Sequence, residues 1–244
     1  MDIPAHYATL VDPDSQTSPD PVRRAIVRAL DAFELQPPLL DLGTGIGSNL
    51  RLLVAAGRAV GADISVSALT HAKAVAPVVA ADGAQLPFAP ASFGGAICTE
   101  VLEHVADPTA VLAELARVLR PGGLAIVSTP NYSNPVGFHK VIADRRSGKH
   151  DYNPWGAHEG GFEAFMTGRK LWRAARPHFD LLEARALDYG QALTGRFAIT
   201  DRVANSKRVY PMLEKLVPWL ERPHRGLGFI AWHGMHIQLV LRRR

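Results

Sequence analysis

The stretch LLDLGTGIG at residues 39–47 decides the fold of this 244-residue chain. A short, mostly apolar run is followed by glycines at every second position, 43, 45 and 47. This pattern is typical of a buried strand that turns tightly into the start of a helix. Glycine suits such a turn because it adopts positive φ and leaves no Cβ between the backbone and a ligand. The stretch therefore predicts a ligand-binding turn at the end of a strand.

Outward from this turn, short apolar runs alternate with segments of helical spacing. Strands are predicted at residues 39–42, 58–64, 77–81, 93–98, 124–129, 179–187 and 229–241. Helices are predicted from residue 21, at 48–56, at 66–76, at 108–120, at 166–176 and around 204–217. Because strands and helices alternate at short spacing, we expect right-handed βαβ units and therefore an α/β fold with a mostly parallel sheet.

The composition limits the class of protein and its compartment. The formal net charge is +4, but the basic residues are mostly scattered, with runs at 145–146 and 242–244, whereas a nucleic-acid footprint is usually clustered. The single cysteine, Cys98, excludes an intramolecular disulfide and fits a reducing compartment. No run approaches the roughly 18 apolar residues of a membrane span, and the first residues lack the layout of a signal peptide. We expect a cytoplasmic protein without a membrane span, for which nucleic acid is the less favoured partner.

Polar residues follow the predicted strands at the edge where parallel sheets bind ligands. Asp63 ends the second strand and Asp82 follows the third. Thr99 and Glu100 follow the fourth. A carboxylate at the end of the second strand is well placed to accept both hydroxyl protons of a ribose. The glycine turn and Asp63 together indicate a ligand that contains adenosine.

Two kinds of adenosine ligand compete for the turn. A dinucleotide requires the pattern GxGxxG, but the sixth position of this turn is Ser48. Asp41, which precedes the glycines, would repel a pyrophosphate. The ammonium and sulfonium groups of S-adenosylmethionine would instead be attracted by that carboxylate. The electrostatics therefore favour S-adenosylmethionine over a dinucleotide.

With these motifs in place, the chain resembles the class I S-adenosylmethionine-dependent methyltransferases, and within them the ubiquinone/menaquinone-biosynthesis-like small-molecule group. The resemblance covers about residues 39–131. It is carried by LLDLGTGIG (39–47), VGADIS (60–65), ADGAQLPF (81–88), CTEVLEHVADPTAVLAELARVLRPGG (98–123) and LAIVSTPN (124–131). It implies a Rossmann-like, mostly parallel seven-stranded sheet with helices on both faces and an antiparallel last strand.

The resemblance also implies which residues bind the cofactor. The glycines would pass close to its methionine part and ribose, and Asp41 would help to hold its ammonium directly or through water. Asp63 would bind the ribose hydroxyls, and Ile64 would pack on the adenine. Asp82 would accept from the adenine amine. The full implied set is Asp41, Gly43, Thr44, Gly45, Gly47, Asp63, Ile64, Asp82, Gly83, Thr99 and Glu100.

Two histidines are candidate general bases, because an imidazole titrates near neutral pH. His104 follows the fourth strand beside Glu103, where it could instead brace the loop by hydrogen bonding. His158 lies in the segment that lines the substrate pocket of similar enzymes. The spacing of His139, His150 and His158 matches no usual ligand pattern, so no metal is expected.

We expect a single domain over residues 1–244. It comprises an N-terminal arm and helix (1–37), a cofactor-binding half (38–129) and two substrate-side insertions that form a cap (130–161 and 190–228). The aromatic and histidine residues of the first insertion suit a flat or phenolic substrate.

The expected function is methyl transfer to a small-molecule acceptor, on oxygen or nitrogen rather than carbon, with S-adenosylhomocysteine as the product. Secondary-metabolite or quinone-like biosynthesis is the expected setting. The alternatives are a non-catalytic S-adenosylmethionine-binding or regulatory protein and an RNA methyltransferase. We make no prediction of the oligomeric state.

Overall fold

The fold is seen in a computed structural model, which describes residues 21–134, 137, 166–188 and 234–244. The helices are α1 (Pro21–Ala32), α2 (Leu50–Ala56), α3 (Val66–Ala72), α4 (Pro108–Val118) and α5 (Gly168–Ala175), with a short 3₁₀ helix at Leu102–His104. The strands are β1 (Leu39–Leu42), β2 (Ala59–Asp63), β3 (Val78–Ala80), β4 (Phe93–Thr99), β5 (Leu119–Pro130), β6 (Phe179–Leu187) and β7 (His236–Arg243). Across the described ranges, every helix is too short or too polar to cross a bilayer.

The strands form one seven-stranded sheet in the order β3-β2-β1-β4-β5-β7-β6. Strands β1 to β5 pair in parallel with their neighbours. β7 lies between β5 and β6 and is antiparallel to both. The predicted α/β class, the mostly parallel sheet and the antiparallel last strand are confirmed.

Each face of the sheet carries its own hydrophobic core. On one face, β1, β4 and β7 contribute Leu39, Ile97 and Val240, which pack with residues of α1 and α2. On the opposite face, alternate residues of the same strands pack with α4 and α5. The helices therefore cover both faces and leave the carboxyl edge of the parallel strands, where the turns lie, as the place for a ligand.

The observed elements differ from the predicted ones mainly at their ends. β5 begins at Leu119 rather than at 124, because Leu119 pairs with Phe93 ahead of an irregularity in the register. The helix predicted to end at 76 ends at Ala72, after which the chain continues in turns. β7 begins at His236, and the residues predicted to start this strand at 229 lie outside the described ranges. The helix predicted around 204–217, the arm at 1–19 and most of both insertions also fall outside them.

Candidate active site

The glycine turn connects β1 to α2 with a backbone that only glycine adopts easily. Gly43 has φ +75° and Gly45 has φ +53°. A Cβ on Gly43 would overlap the side chain of Val101, whereas a Cβ on Gly45 would meet nothing within 4 Å. Gly43 is therefore required by its close packing against Val101. Gly45 presents bare backbone to open space, as a ligand-binding turn should.

Asp63, at the end of β2, connects the turn to the next βα loop. Its Oδ2 accepts a hydrogen bond from the backbone N–H of Gly45 at 2.7 Å, and its Oδ1 accepts one from Ser65 N–H at 2.8 Å. Each carboxylate oxygen can accept more than one hydrogen bond, so the two oxygens remain able to accept from ligand hydroxyls. The two backbone contacts hold this half-buried carboxylate in a fixed orientation beside the turn.

Asp41 lies beneath the turn and is only 1% exposed. Burial raises the pKa of its carboxyl group to about 7, and the negative charge of Asp63 adds to this effect. The Thr44 hydroxyl, which donates to Asp41 Oδ2 at 2.7 Å, and the backbone N–H of Leu50 counteract the rise in pKa. A cation bound above the turn would favour the ionised form of this carboxyl group.

A cleft opens at the carboxyl edge of β1, β2 and β4. The residues that line it are Leu42, Gly43, Gly45, Asp63, Ile64, Ala81, Asp82, Gly83, Glu100, Val101, His104 and Val105. Ile64 lies at this cleft with 59% of its surface exposed. Asp82 caps a turn, because its Oδ1 accepts from Ala84 N–H at 2.9 Å. The cleft thus presents the apolar side chain of Ile64 next to the carboxylates of Asp63 and Asp82.

Four of the predicted site residues do not line the cleft and lie behind the residues that do. Asp41 and Thr44 are bonded to each other under the turn. Gly47 packs closely against α3, where an added Cβ would lie 3.2 Å from Ala72 Cα. Thr99 accepts a hydrogen bond from Asn49 Nδ2 at 3.1 Å and is 8% exposed. These residues fix the shape of the turn and the end of β4.

Glu100 follows β4 and lines the cleft in a strained backbone conformation. Its φ is +56°, a region that non-glycine residues occupy mainly where the surrounding structure enforces it. Ser128 Oγ donates to its Oε1 at 2.9 Å, and Nε2 of His236 lies 3.3 Å from its Oε2. The strained residue thus carries a carboxylate that Ser128 of β5 and His236 of β7 hold in place. Strained backbone conformations cluster at active sites.

His236 is not among the residues predicted from the sequence, and this contact brings it to the site. It is the first residue of β7 and pairs with Pro130 of β5 and Leu187 of β6. Because β7 runs antiparallel to its neighbours, its first residue reaches the same edge of the sheet as the ends of the parallel strands. Its register could not be read from local sequence. A histidine bonded to a carboxylate is a common arrangement for proton transfer.

Of the neighbouring residues Glu103 and His104, the first is buried and the second lines the cleft. Glu103 is 1% exposed and accepts a hydrogen bond from Thr129 Oγ1 at 3.0 Å. His104 lines the cleft, with Nε2 3.7 Å from Glu103 Oε1 and 30% of its side chain exposed. His158, the other candidate base, lies outside the described residues. In the part of the chain that the structure describes, no set of three or more His, Cys, Asp or Glu side chains could share a metal ion.

Comparisons with known proteins agree with this geometry. A family profile described as the methyltransferase domain matches residues 40–127. A protein of Mycolicibacterium vanbaalenii, called an uncharacterized methyltransferase, is 38% identical over 110 residues, which are 42% of this chain and 43% of that protein. The match thus spans less than half the length of that relative.

Solved structures extend the similarity to most of the chain. An S-adenosylmethionine dependent methyltransferase from Mesorhizobium loti matches with a TM-score of 0.56 and 19% identity, over 88% of this chain and 96% of its own. The N-methyltransferase NodS from Bradyrhizobium japonicum, solved with S-adenosyl-L-homocysteine, matches with a TM-score of 0.57 and 13% identity, over 98% of this chain and 95% of its own. At such identities the likeness shows the fold alone.

Residues 40–127 thus match the methyltransferase domain family, and the chain is similar in fold to solved S-adenosylmethionine-dependent methyltransferases. The family resemblance drawn from the motifs is confirmed at this level. The ubiquinone/menaquinone-like subgroup stays a prediction.

Proposed function

We propose that this chain transfers the methyl group of S-adenosylmethionine to a small-molecule acceptor. The observation that carries the proposal is the cleft at the ends of β1, β2 and β4, where Asp63, the bare backbone of Gly45 and exposed Ile64 meet. These three features match a ribose diol, a chain that passes close to the turn, and the face of an adenine. The proposed product is S-adenosylhomocysteine.

In this proposal each wall of the cleft has a separate task. Asp63 accepts hydrogen bonds from the ribose hydroxyls with the orientation that Gly45 and Ser65 impose on it. Ile64 covers the adenine, whose amine is recognised by Asp82 and the backbone of Gly83. The bound cofactor supplies an activated methyl group on a sulfonium. The protein then mainly orients the acceptor in line with that methyl and excludes water.

The charge around the turn supports S-adenosylmethionine rather than a dinucleotide. Asp41 and Asp63 lie close enough for the charge of Asp63 to raise the pKa of Asp41. A pyrophosphate would bring further negative charge to this pair, whereas a cation would relieve their repulsion. We assign Asp41 the role of attracting the ammonium from beneath the turn through the electric field of its carboxylate. Thr44, Gly47 and Thr99 support the turn and the end of β4.

On the acceptor side, we keep His104 and His158 as candidate bases for an acceptor that carries a proton of high pKa. The position of His104 at the cleft supports its candidacy, because a base must come within hydrogen-bond reach of the proton it takes. The two insertions at 130–161 and 190–228 are proposed to cap the acceptor within a single domain. Oxygen or nitrogen is proposed as the methylated atom, and biosynthesis of a secondary metabolite or quinone-like compound as the setting.

A screen with methyl-labelled S-adenosylmethionine tests this function. Purified protein is incubated with a panel of phenols and amines, and products are followed by mass shift together with formation of S-adenosylhomocysteine. We expect a labelled product with the wild type, its loss in Asp63→Ala, and full activity in Asp31→Ala, a control on the exposed side of α1. Cofactor binding without turnover on any acceptor class, including cell extracts, would instead support the non-catalytic alternative.

The RNA methyltransferase alternative is disfavoured by the state of the C-terminal arginines. Arg242 and Arg244 both pair with Asp180, at 3.5 and 2.8 Å. Arg243 donates to the backbone carbonyl of Leu119. The single carboxylate of Asp180 offsets part of the charge of the three arginines, which weakens this cluster as a phosphate-binding surface. Binding to a tRNA pool with a steep salt dependence would reinstate RNA as the substrate.

A further inference from the structure

A row of polar side chains crosses the sheet next to the cofactor cleft. We name Glu100, Ser128, Gln238 and Arg185 the polar row. Ser128 Oγ donates to Glu100 Oε1 at 2.9 Å, and Gln238 of β7 is the register partner of both Ser128 in β5 and Arg185 in β6. Residues that are register partners point to the same face of a sheet. The row therefore runs from the cleft toward β6 on one face.

The polar row lies on the face that α1 and α2 cover. Ile126 and Val240 belong to the core on this face, and each stands two residues from a member of the row, Ser128 and Gln238 respectively. Side chains two residues apart in a strand share a face. By the same alternation, His236 also points to this face, next to Gln238.

Gln238 is a buried polar side chain whose amide atoms have no hydrogen-bond partner among the described residues. It is 1% exposed, and within the described part of the chain neither Nε2 nor Oε1 of its amide has a hydrogen-bond partner. Buried amides in native proteins are almost always paired, so an unpaired one requires an explanation such as a ligand. A ligand group that matches this amide would supply one acceptor and one donor side by side.

His236 adds a third unpaired atom beside the amide. Its Nε2 lies 3.3 Å from Glu100 Oε2, while its Nδ1 is buried and has no hydrogen-bond partner among the described residues. Glu100 itself lines the cofactor cleft. His236 and Ser128 both contact Glu100, so the unpaired atoms of His236 and Gln238 lie behind a residue that lines the cleft.

The charges along the row limit the class of ligand. Arg185 is paired with Glu183, whose Oε1 lies 3.1 Å from Arg185 Nη2. The positive charge of Arg185 is therefore neutralised by Glu183 within β6, while Glu100 contributes a further negative charge. The carboxylate of Glu100, which lies 3.3 Å from His236 Nε2, would repel an anionic ligand group. A neutral group with an adjacent donor and acceptor, such as a carboxamide or lactam, suits the site.

We propose that Gln238 and His236, next to Glu100, form the subsite for the methyl acceptor, and that the acceptor carries a neutral carboxamide-type group which Gln238 binds. The inference rests on the proposed function, because it places the acceptor beside the cofactor cleft. Gln238 then determines specificity. The methyl-accepting atom lies at the Glu100 end of the row, nearer the cofactor.

Binding of three small phenols to the protein loaded with S-adenosylhomocysteine tests the subsite. The probes are 4-hydroxybenzamide, 4-hydroxybenzoate and phenol, titrated by ligand-observed NMR or calorimetry. We expect the wild type to bind the amide on the order of 10-fold more tightly than the other two, since one matched pair of hydrogen bonds has about this effect. Gln238→Met, which keeps the length of the side chain, should abolish this preference and leave the affinity for S-adenosylhomocysteine unchanged.

Each other outcome has a distinct meaning. Equal binding of the three phenols by the wild type, absence of amide binding, or an unchanged preference in Gln238→Met would overturn the subsite while the cofactor proposal stands. Failure of the wild type to bind S-adenosylhomocysteine would instead overturn the proposed function. Gln238→Leu provides a second variant, because it has neither a donor nor an acceptor. We expect it also to lose the amide preference, and retention of that preference by a folded Gln238→Leu would count against the proposal.

Discussion

The two halves of the carboxyl edge differ in how their polar side chains are satisfied. In the half built by β1 to β4, Asp41 and Asp63 accept hydrogen bonds from the turn that they support. In the half built by β5, β7 and β6, the amide of Gln238 and Nδ1 of His236 have no partners among the described residues. The first half is preorganised around a fixed ligand shape. The second retains buried hydrogen-bonding capacity that a variable ligand could use.

The largest expected effect of a single change falls in the first half, at Asp63. Asp63→Ala removes the proposed contacts to the ribose and the two backbone contacts that order the turn. We expect the affinity for S-adenosylmethionine to fall about 100-fold, because hydrogen bonds to a charged group are worth about 1.5–3 kcal/mol each. Calorimetric titration measures the change, with circular dichroism to verify the fold. Asp31→Ala should bind like the wild type, and equal affinity in Asp63→Ala would remove the assigned role.

The strands and turns of the first half could be predicted from the sequence because their signals are local. The glycines of the turn, Asp63 and Asp82 each stand at the end of a short apolar run, and the topology of βαβ units brings such ends to one edge. The sequence does not distinguish the polar residues that line the cleft, such as Asp63 and Glu100, from those that lie behind it, such as Asp41 and Thr99. That distinction depends on side-chain burial.

The second half was not predictable in the same way. His236 and Gln238 approach Glu100 only because β7 inserts between β5 and β6 with reversed direction. Glu100 and His236 are far apart in the chain, and no motif connects them. Neither glycine spacing nor hydrophobic period encodes the cross-strand register, so the polar row emerged from the structure alone.

The second-largest effect is expected in the pH dependence of stability, which depends on Asp41 in the first half. The pKa of Asp41 is raised from its ordinary value of 3.8 to about 7, so the folded protein holds this proton more tightly than the unfolded chain. Its contribution to stability is therefore complete below pH 4, declines as the pH rises toward 7, and is absent above that. We expect the cofactor-free wild type to gain about 2 kcal/mol from this group between pH 8 and pH 5.

Urea unfolding at several pH values measures this gain against Asp41→Asn. The variant cannot titrate at this position, so its stability should vary less over the same range. Added S-adenosylmethionine should reduce the difference between the two proteins, since a bound cation favours the ionised carboxyl group. Parallel pH profiles of the two proteins would contradict the burial of a titrating Asp41.

Alanine substitutions at two glycines with positive φ distinguish a loss of cofactor binding from a loss of stability, and we expect smaller effects from them. Gly45 and Gly122 both have positive φ, +53° and +79°, and an added Cβ at either meets nothing within 4 Å. Both alanine variants should lose a similar amount of stability, about 1 kcal/mol. Only Gly45→Ala should also weaken binding of S-adenosylmethionine, by about 10-fold, because only this Cβ would project beside the cofactor. Equal cofactor affinities in the two variants would place the ligand elsewhere.

The smallest effect compares a paired and an unpaired buried polar side chain. Thr99→Val removes the acceptor of the hydrogen bond from Asn49 and should cost about 1 kcal/mol of folding free energy. Gln238→Met removes an amide that has no hydrogen bond to lose within the described chain, so stability should stay equal or rise. Thermal denaturation of both variants without ligand measures the difference. A clear loss of stability in Gln238→Met would mean that the amide is satisfied in the free protein.

Calorimetric titration of the wild-type protein with S-adenosylmethionine tests the central claim most directly. The claim is that the cleft between the glycine turn, Asp63 and Ile64 is a cofactor site complete in itself. We predict binding of one molecule per chain, with the same affinity in Gln238→Met. Absence of binding by the folded wild type, or its loss in Gln238→Met, would contradict the account.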